Sequence, residues 1–353
     1  MIALLQDIIA FAEQFIPSPI TLFRAYQFSP ADLAVGHVCL APGRSPTWKD
    51  DDTILSTIDV LSYNINNVAA RSPTRVRRIL RAIFSSGADV ILLQETNPAW
   101  EDLIRDEATA LQFRYSYFHH PGANDRAAGG IAILSQYPLG NVKILDFMKV
   151  IPGSVFPALT CEVKVPIEVH RAGELEILSD SSSIPTVTIS IANVHLRPPV
   201  ELDGSAWLDT ARKTEPVRIN EMKELIQSTA SVKAESIMAS ESDQHPLDII
   251  GGDFNEGDNV GSLAYLVSLG YIDALQQHVS RSKETHTWPF ARNLWTLRKR
   301  LDHILCHGSQ LTTVEGLACS IELQCLGCGV VTGYENGASD HQPVLARFAF
   351  VKK

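Results

Sequence analysis

Six short apolar runs in this chain each end, or begin, on a side chain that does not belong in an apolar core. "VLSYNIN" closes on Asn64 and Asn66, "VILLQE" on Glu95, "ISIANVH" on His195 and "DIIGGDFN" on Asp253 and Asn255. "RLDHILC" opens on Asp302, and "SDHQPVLARF" opens on Asp340 and His341. Ionisable groups at the margin of a strand cost desolvation energy unless they are paired, metal-bound or in a wet cleft. Strands lying side by side would gather all of these ends into one cleft. That requirement constrains the fold more than any other feature of the sequence.

The rest of the chain supplies the strands and helices such a cleft needs. From residue 57 onward, strand and helix signals alternate without a clear break. "SPTRVRRILRAIFSSG" reads as a helix, with Ser72 at its cap, Pro73 at its first position and Gly87 at its stop. Val76, Ile79, Leu80, Ile83 and Phe84 fall on its buried stripe. "ADVILLQE" follows as a buried strand. "YSYFHH", "GGIAILSQ", "NVKILDF" and "ALTCEVKV" are short runs broken by Gly, Pro or Asn, as antiparallel strands are. Residues 168–183 read as a surface excursion, and a helix is expected from near Pro216 through "VRINEMKELIQ". The mixture predicts an α+β domain with helices outside its sheets. Of the residues, 45% are hydrophobic and 20% charged, enough for a sizeable core.

Residues 1–56 read as an N-terminal helix and extended arm, and 57–353 as the domain that holds the cleft. Leu5, Ile8, Ala12 and Phe15 share a helical stripe that Pro17 ends, and packing on the domain is expected. Asp7, Glu13 and the missing basic leader argue against a signal peptide, and the run is too broken to span a bilayer. The six cysteines include "CLGC" at Cys325 and Cys328, spaced for metal or redox chemistry. No second knuckle accompanies them, so buried thiols are expected, and with them an intracellular, cytoplasmic or nuclear, location. The net charge of −10 argues against a protein that coats nucleic acid by bulk charge and leaves a local basic groove open.

Other polar residues read as ordinary. His119, His120, His245, His278, His286, His303 and His307 are expected on loops or strand faces, with His303 opposite Asp302. Arg71, Arg75, Arg77, Arg78 and Arg81 read as the solvated back of a helix. "LWTLRKR", with Trp295, leads into the Asp302 strand, and substrate contact and plain loop are evenly matched there.

Hard oxygen ligands without thiolate suit Mg²⁺ or Mn²⁺, or Ca²⁺, better than zinc. Carboxylates with such an ion suit attack of water on phosphorus. The order "SYNIN", "LLQE", "GGIAILSQYPL", "NVHL", "GGDFNEG", "RLDHIL", "SDHQPV" resembles the endonuclease/exonuclease/phosphatase superfamily across roughly residues 57 to 350. That resemblance implies a four-layer α/β/β/α sandwich of two mainly antiparallel sheets with the site at one rim. It implies metal-site roles for Asn64, Asn66, Glu95 and Asp340, and a water-activating role for Asp253. It implies phosphate contact by Asn255 and His341, an orienting role for Asp302, and a catalytic role for His195. Abasic-site endonucleases often carry Asp where Asn66 stands, and a tyrosine where His195 stands. "NVHLRP", "RINEMKELI" and "HTWPF" are similar to the five-prime tyrosyl-DNA phosphodiesterases, although Glu-Ser does not follow His195–Leu196 here.

The expected activity is metal-dependent hydrolysis of a phosphoester by a monomer, with a phosphodiesterase or nuclease first. DNA, RNA, lipid and small phosphoesters all stay open as substrates, as does a phosphomonoesterase. The competing class is a non-catalytic binding scaffold of the same fold, which loss of Glu95, Asp253, Asn255 or His341 would have favoured.

Overall fold

The computed structural model describes residues 41–42, 53–110, 113–122, 126–167, 185–200, 210–236, 247–278, 287–289, 298–308, 310–311, 321–331 and 338–352. In chain order the described strands are β1 (Ala41–Pro42), β2 (Thr53–Asn64), β3 (Val90–Thr96), β4 (Tyr115–His119), β5 (Gly130–Ser135), β6 (Leu139–Leu145), β7 (Ala158–Pro166) and β8 (Thr186–His195). They continue as β9 (Ile249–Asp253), β10 (Tyr271–Asp273), β11 (Trp288–Pro289), β12 (Arg298–Lys299), β13 (Asp302–His307), β14 (Gln310–Leu311), β15 (Ile321–Val330) and β16 (Val344–Lys352). The described α-helices are α1 (Pro73–Phe84), α2 (Pro98–Ala110), α3 (Thr210–Ser236), α4 (Gly261–Ser268) and α5 (Ala274–His278).

The first sheet runs β1-β15-β16-β2-β3-β5-β4, with β14 beside β15, and the second runs β10-β13-β9-β8-β7-β6. Within these sheets the β2–β3 and β8–β9 pairs are parallel and the other pairs antiparallel. Side chains alternate along a strand, so each sheet has two faces to cover. Leu55, Ile58, Val60, Val90 and Leu92 face Leu159, Val163, Ile189, Ile191, Ile249 and Ile304 between the sheets. On the outer face of the first sheet, Leu61, Tyr63, Ile91 and Leu93 meet Ile79, Leu80 and Ile83 of α1 and Trp100 and Ile104 of α2. Outside the second sheet, Val194, Ile250 and Leu305 meet Met222 and Leu225 of α3 and Leu263 and Leu266 of α4. Three apolar interfaces make four layers, α/β/β/α, as the sequence resemblance implied. Each such side chain contributes about 1.5–3 kcal/mol by leaving water. Truncating one between the sheets, Leu92→Ala for example, should cost about 2–5 kcal/mol.

Several local expectations can be set beside the fold. α1 spans the expected residues and buries Val76, Ile79, Leu80 and Ile83; Ser72 occupies the cap position without a side-chain bond. β2 begins at Thr53, earlier than the strand read from "STIDVLSYN", and Ala41–Pro42 pairs with β15. α3 starts at Thr210 and not near Pro216, which lies inside it. The proline has no N–H to offer the Arg212 carbonyl one turn earlier, and side chains add bonds to neighbouring carbonyls of that turn. Thr214 Oγ1 donates to the Thr210 carbonyl at 2.9 Å, and Arg218 Nη2 donates to the Ala211 carbonyl at 3.2 Å. Cys161, Cys306, Cys325 and Cys328 are free and buried. All four belong to the layer between the sheets, and burial pushes the Cys161 and Cys306 thiols up to about 12. Cys39, Cys319, Trp295, the N-terminal helical stripe, residues 168–184, His245 and His286 lie outside the described residues.

Candidate active site

The two parallel pairs decide where the polar strand ends go. Because β2 and β3 run together, Asn64 stands beside Gln94, one residue before Glu95. Because β8 and β9 run together, His195 stands beside Asp253. β13 runs against β9, so its first residue, Asp302, also pairs with Asp253. The segment that leads into β16 brings in Asp340 and His341.

Hydrogen bonds show that these ends meet. Asn64 Nδ2 donates to Glu95 Oε1 at 3.1 Å and to Asp253 Oδ2 at 3.0 Å, so it bridges the two sheets. Asn66 Nδ2 donates to Asp340 Oδ1 at 2.7 Å. His341 Nδ1 lies 2.8 Å from Asp302 Oδ2, and His341 Nε2 lies 3.6 Å from Asp253 Oδ2. His195 Nε2 is 3.7 Å from the same Asp253 oxygen. Asp253 Oδ1 accepts the Asn255 backbone N–H at 2.9 Å, and the Asn255 amide donates to the Leu196 carbonyl at 3.0 Å. All nine residues singled out in the sequence therefore lie at one rim. Glu256, from the same "GGDFNEGD" stretch, turns away and binds Arg218 Nε at 2.8 Å.

Local backbone geometry aims these groups. The β3–β5 register passes from Gln94↔Ile131 to Thr96↔Gly130, leaving Glu95 as an extra, bulged residue. A bulge re-aims a side chain and locally breaks the ladder. Glu95 takes φ 59°, and Asn66 and Asn255 take 59° and 54°. Such left-handed backbone costs about 1–3 kcal/mol each and clusters at functional sites. Gly130 opposite the bulge cannot carry a side chain, since a Cβ there would sit 1.8 Å from the Thr96 carbonyl. At Gly252, φ is +149° and a Cβ would sit 1.9 Å from the Val194 carbonyl. The "GG" of "DIIGGDFN" thus includes a residue that lets β8 and β9 deliver His195 and Asp253 side by side.

Several supporting residues carry no distinctive sequence signal. Ser339 Oγ donates to the Asn64 carbonyl at 2.7 Å and accepts the His341 N–H at 3.1 Å. The Asn67 N–H donates to Glu95 Oε2 at 3.0 Å. Arg75, read as a solvated helix residue, donates to the Ala338 carbonyl at 2.6 Å and braces the Asp340 turn. Behind the rim, Asn193 crosses between sheets and donates to the Leu93 and Ala132 carbonyls at 2.9 and 2.8 Å. Its Oδ1 accepts from Gln94 Nε2 at 2.7 Å. Phe156 stacks on His195 with ring centroids 4.0 Å apart and planes 16° apart.

The electrostatics separate the two histidines. Burial lowers the His195 pKa to about 4 against the pull of Asp253, so its ring is neutral. Burial also opposes charge on His341, but Asp302 and Asp253 outweigh it and raise that pKa well above its ordinary value. Glu95 rises to about 7, first through desolvation of its enclosed carboxyl and then through Asp340. Asp340 is exposed at the rim; crowding by its neighbours opposes its ionisation, yet His341 and the Asn66 hydrogen bond hold it below the usual range.

The donor set fits a hard divalent cation. Glu95 is uncomfortable as a carboxylate beside Asp340, and Asn66 Oδ1 is buried without a hydrogen-bond partner. A cation bound by oxygen ligands answers both conditions. Two other groups among the described residues bring possible ligand atoms within 4.8 Å of one another. The first is Asp253, Asp302 and His341, where the protonated imidazole already supplies positive charge. The second is Asp258, Asp273 and His303, where His303 Nδ1 meets Asp273 at 2.7 Å and Arg300 lies 3.8 Å from Asp258. His303 does lie on the opposite face from Asp302, against Phe254.

Comparisons with known proteins agree with this geometry. The family model for the endonuclease/exonuclease/phosphatase family matches residues 61–341. Among curated proteins, none matches the sequence. Among solved structures, truncated Caenorhabditis elegans TDP2 has a TM-score of 0.51 and 17% identity, over 83% of this chain and 97% of its own. The human Nocturnin catalytic domain with bound sulfate has a TM-score of 0.53 and 16% identity, over 85% and 97%. A family protein from Bacteroides thetaiotaomicron has a TM-score of 0.54 and 17% identity, over 84% and 99%. At these identities the likeness speaks to the fold. No helix among the described residues is long and apolar enough to cross a membrane. With a model match across most of its length and the motif residues gathered at one rim, the chain belongs to the endonuclease/exonuclease/phosphatase family of phosphoester hydrolases.

Proposed function

We propose that this protein is a divalent-metal-dependent phosphodiesterase that works by in-line attack of water on phosphorus. One observation carries the reading: the buried Asp253 carboxylate has a cationic and a neutral imidazole 3.6 and 3.7 Å from one of its oxygens. Asn64, Asn66, Glu95 and Asp340 are the residues that would hold Mg²⁺ or Mn²⁺. When bound, such an ion neutralises phosphate charge and stabilises the leaving oxygen.

The remaining roles belong to the protein's own groups. Asp253 orients the water and takes its proton. Burial lifts the Asp253 pKa and so makes it a stronger base than an ordinary carboxylate. His341, protonated and oriented by Asp302, donates to a phosphoryl oxygen. His195, neutral, donates without adding charge. The Asn255 amide has two N–H groups and spends one on Leu196, leaving the other for the phosphate. A binding scaffold would have no need of this complete set, so the enzyme is the reading we adopt.

Danio rerio TDP2 has been seen with a single-strand DNA product, and nucleic acid accordingly heads the substrates to test. The four free buried thiols suit a reducing, intracellular compartment, and we take the working unit to be a monomer. The test is hydrolysis of bis-p-nitrophenyl phosphate with Mg²⁺ or Mn²⁺, beside an Asp253→Asn control. Single-stranded DNA, duplex DNA, RNA, a phosphotyrosyl-DNA end, sphingomyelin and a phosphomonoester complete the panel. Metal-dependent turnover lost in the control supports the proposal. No turnover on any substrate would favour the scaffold.

A further inference from the structure

Glu221 lies on α3, outside the second sheet, and is fully buried. Its two carboxyl oxygens bind two different chain segments. Oε1 accepts from Ser154 Oγ at 2.5 Å, and Oε2 accepts the Arg197 backbone N–H at 2.9 Å. Ser154 stands two residues before Phe156, whose ring covers one face of the His195 imidazole. Arg197 stands two residues after His195. The Leu196 N–H between them donates to the Asp253 carbonyl at 2.9 Å, and the Leu196 carbonyl accepts the Asn255 amide.

The location of Glu221 is costly for a group with only a packing role. Desolvation pushes its pKa up to about 7 even though it accepts two hydrogen bonds. An apolar residue would fill the space without that penalty. A carboxyl can instead tie the loop that bears Phe156 to the turn that follows His195. The Phe156–His195 stack fixes the ring plane only while the Phe156 loop and the His195 turn keep their spacing.

We propose that Glu221 is a positioning residue for His195: it ties the loop bearing Phe156 to the turn after His195 and so sets the plane and reach of the imidazole. The proposal rests on the reading above, in which His195 faces the phosphate. Displacements near 1 Å can cost about 100-fold in rate.

The experiment combines a double-mutant cycle with a spectroscopic readout that needs no activity. Turnover of bis-p-nitrophenyl phosphate with Mn²⁺ is measured for Glu221→Ala, Phe156→Leu, His195→Ala and the Glu221→Ala/His195→Ala pair. Glu221→Ala and Phe156→Leu should each lower kcat by about 10- to 100-fold with KM little changed. The pair should be no slower than His195→Ala alone, because both act through one ring. Glu221→Gln should recover most of the loss, since its carbonyl can accept from Arg197 and its amide can donate to Ser154 Oγ.

In parallel, the ring Cε1–H resonance of His195 is followed in ¹³C-histidine-labelled protein and assigned by its absence in His195→Ala. It should shift in Glu221→Ala and Phe156→Leu as the ring current of Phe156 is lost. An unmoved resonance, or losses that multiply in the double mutant, would overturn the proposal. If wild type turns nothing over, the functional reading fails while the resonance still decides the role of Glu221. Should Glu221→Ala not fold, Ser154→Ala removes one of the two ties and should shift the same resonance; no shift there also overturns the proposal.

Discussion

His341 Nδ1 and Asp302 Oδ2 are 2.8 Å apart, which joins the segment before β16 to the first residue of β13. β13 lies in the second sheet and the segment before β16 leads into the first, so this hydrogen bond fastens the two halves at the rim. It also fixes which imidazole nitrogen faces Asp253. Asp302→Asn should therefore lower kcat by about 10²–10⁴-fold, with a smaller effect on KM. Steady-state kinetics on the diester substrate checks this. Equal losses in kcat and in thermal stability would point to a structural role alone.

Metal binding should depend on pH through Glu95, whose folded pKa of about 7 exceeds its unfolded value. In the metal-free protein the native state holds the extra proton between about pH 4.5 and 7, so stability falls as pH rises through that window. Binding a divalent cation removes the penalty. Mg²⁺ or Mn²⁺ should raise Tm more at pH 8 than at pH 5, and Glu95→Gln should abolish most of the difference. Differential scanning fluorimetry across pH gives the answer.

The His303–Asp273 pair predicts a second pH dependence, away from the rim. Burial opposes the His303 cation, but Asp273 outweighs it and raises the pKa to about 9. The folded pKa lies above the unfolded one. The stabilisation is complete below about pH 6.5 and is lost as pH rises to about 9. Asp273→Asn should flatten this stretch of the stability curve, at a cost of roughly 3 kcal/mol or less below pH 6.5. Urea unfolding at pH 6 and pH 9.5 for both proteins provides the comparison. Parallel curves would contradict the assignment.

Asn193 should matter for stability beyond its size. Replacement by Leu removes the bonds to the Leu93 and Ala132 carbonyls and leaves the Gln94 amide only its longer bonds to the Leu92 carbonyl and Ser62 Oγ. The expected loss is about 2–4 kcal/mol, read from urea melts. A loss under about 0.5 kcal/mol would mean that the bridge contributes little.

The sequence displayed the rim residues because each interrupts an apolar run. Asn64, Glu95, His195, Asp253 and Asp302 were visible for that reason, and strand pairing then had to collect them. Runs such as "VILLQ" marked buried strands, while the four layers were expected only from the family resemblance. The supports were harder to see. Glu221, Arg218 and Glu256 carry the letters of solvent-facing residues, and only α3 packing turns them inward. Phe156 sits on an irregular loop with no period. The Glu95 bulge depends on its partner strand, which no local pattern names. Asn193, a lone amide inside "SIANVH", had nothing to set it apart from an ordinary strand residue.

Anomalous scattering from a crystal soaked in Mn²⁺ decides whether the rim holds a divalent cation. A strong peak is expected at coordination distance from Glu95, beside Asn64, Asn66 and Asp340, and lost in Glu95→Gln. A crystal with no peak there, or with its principal peak at Asp258, Asp273 and His303, would contradict the proposed metal site.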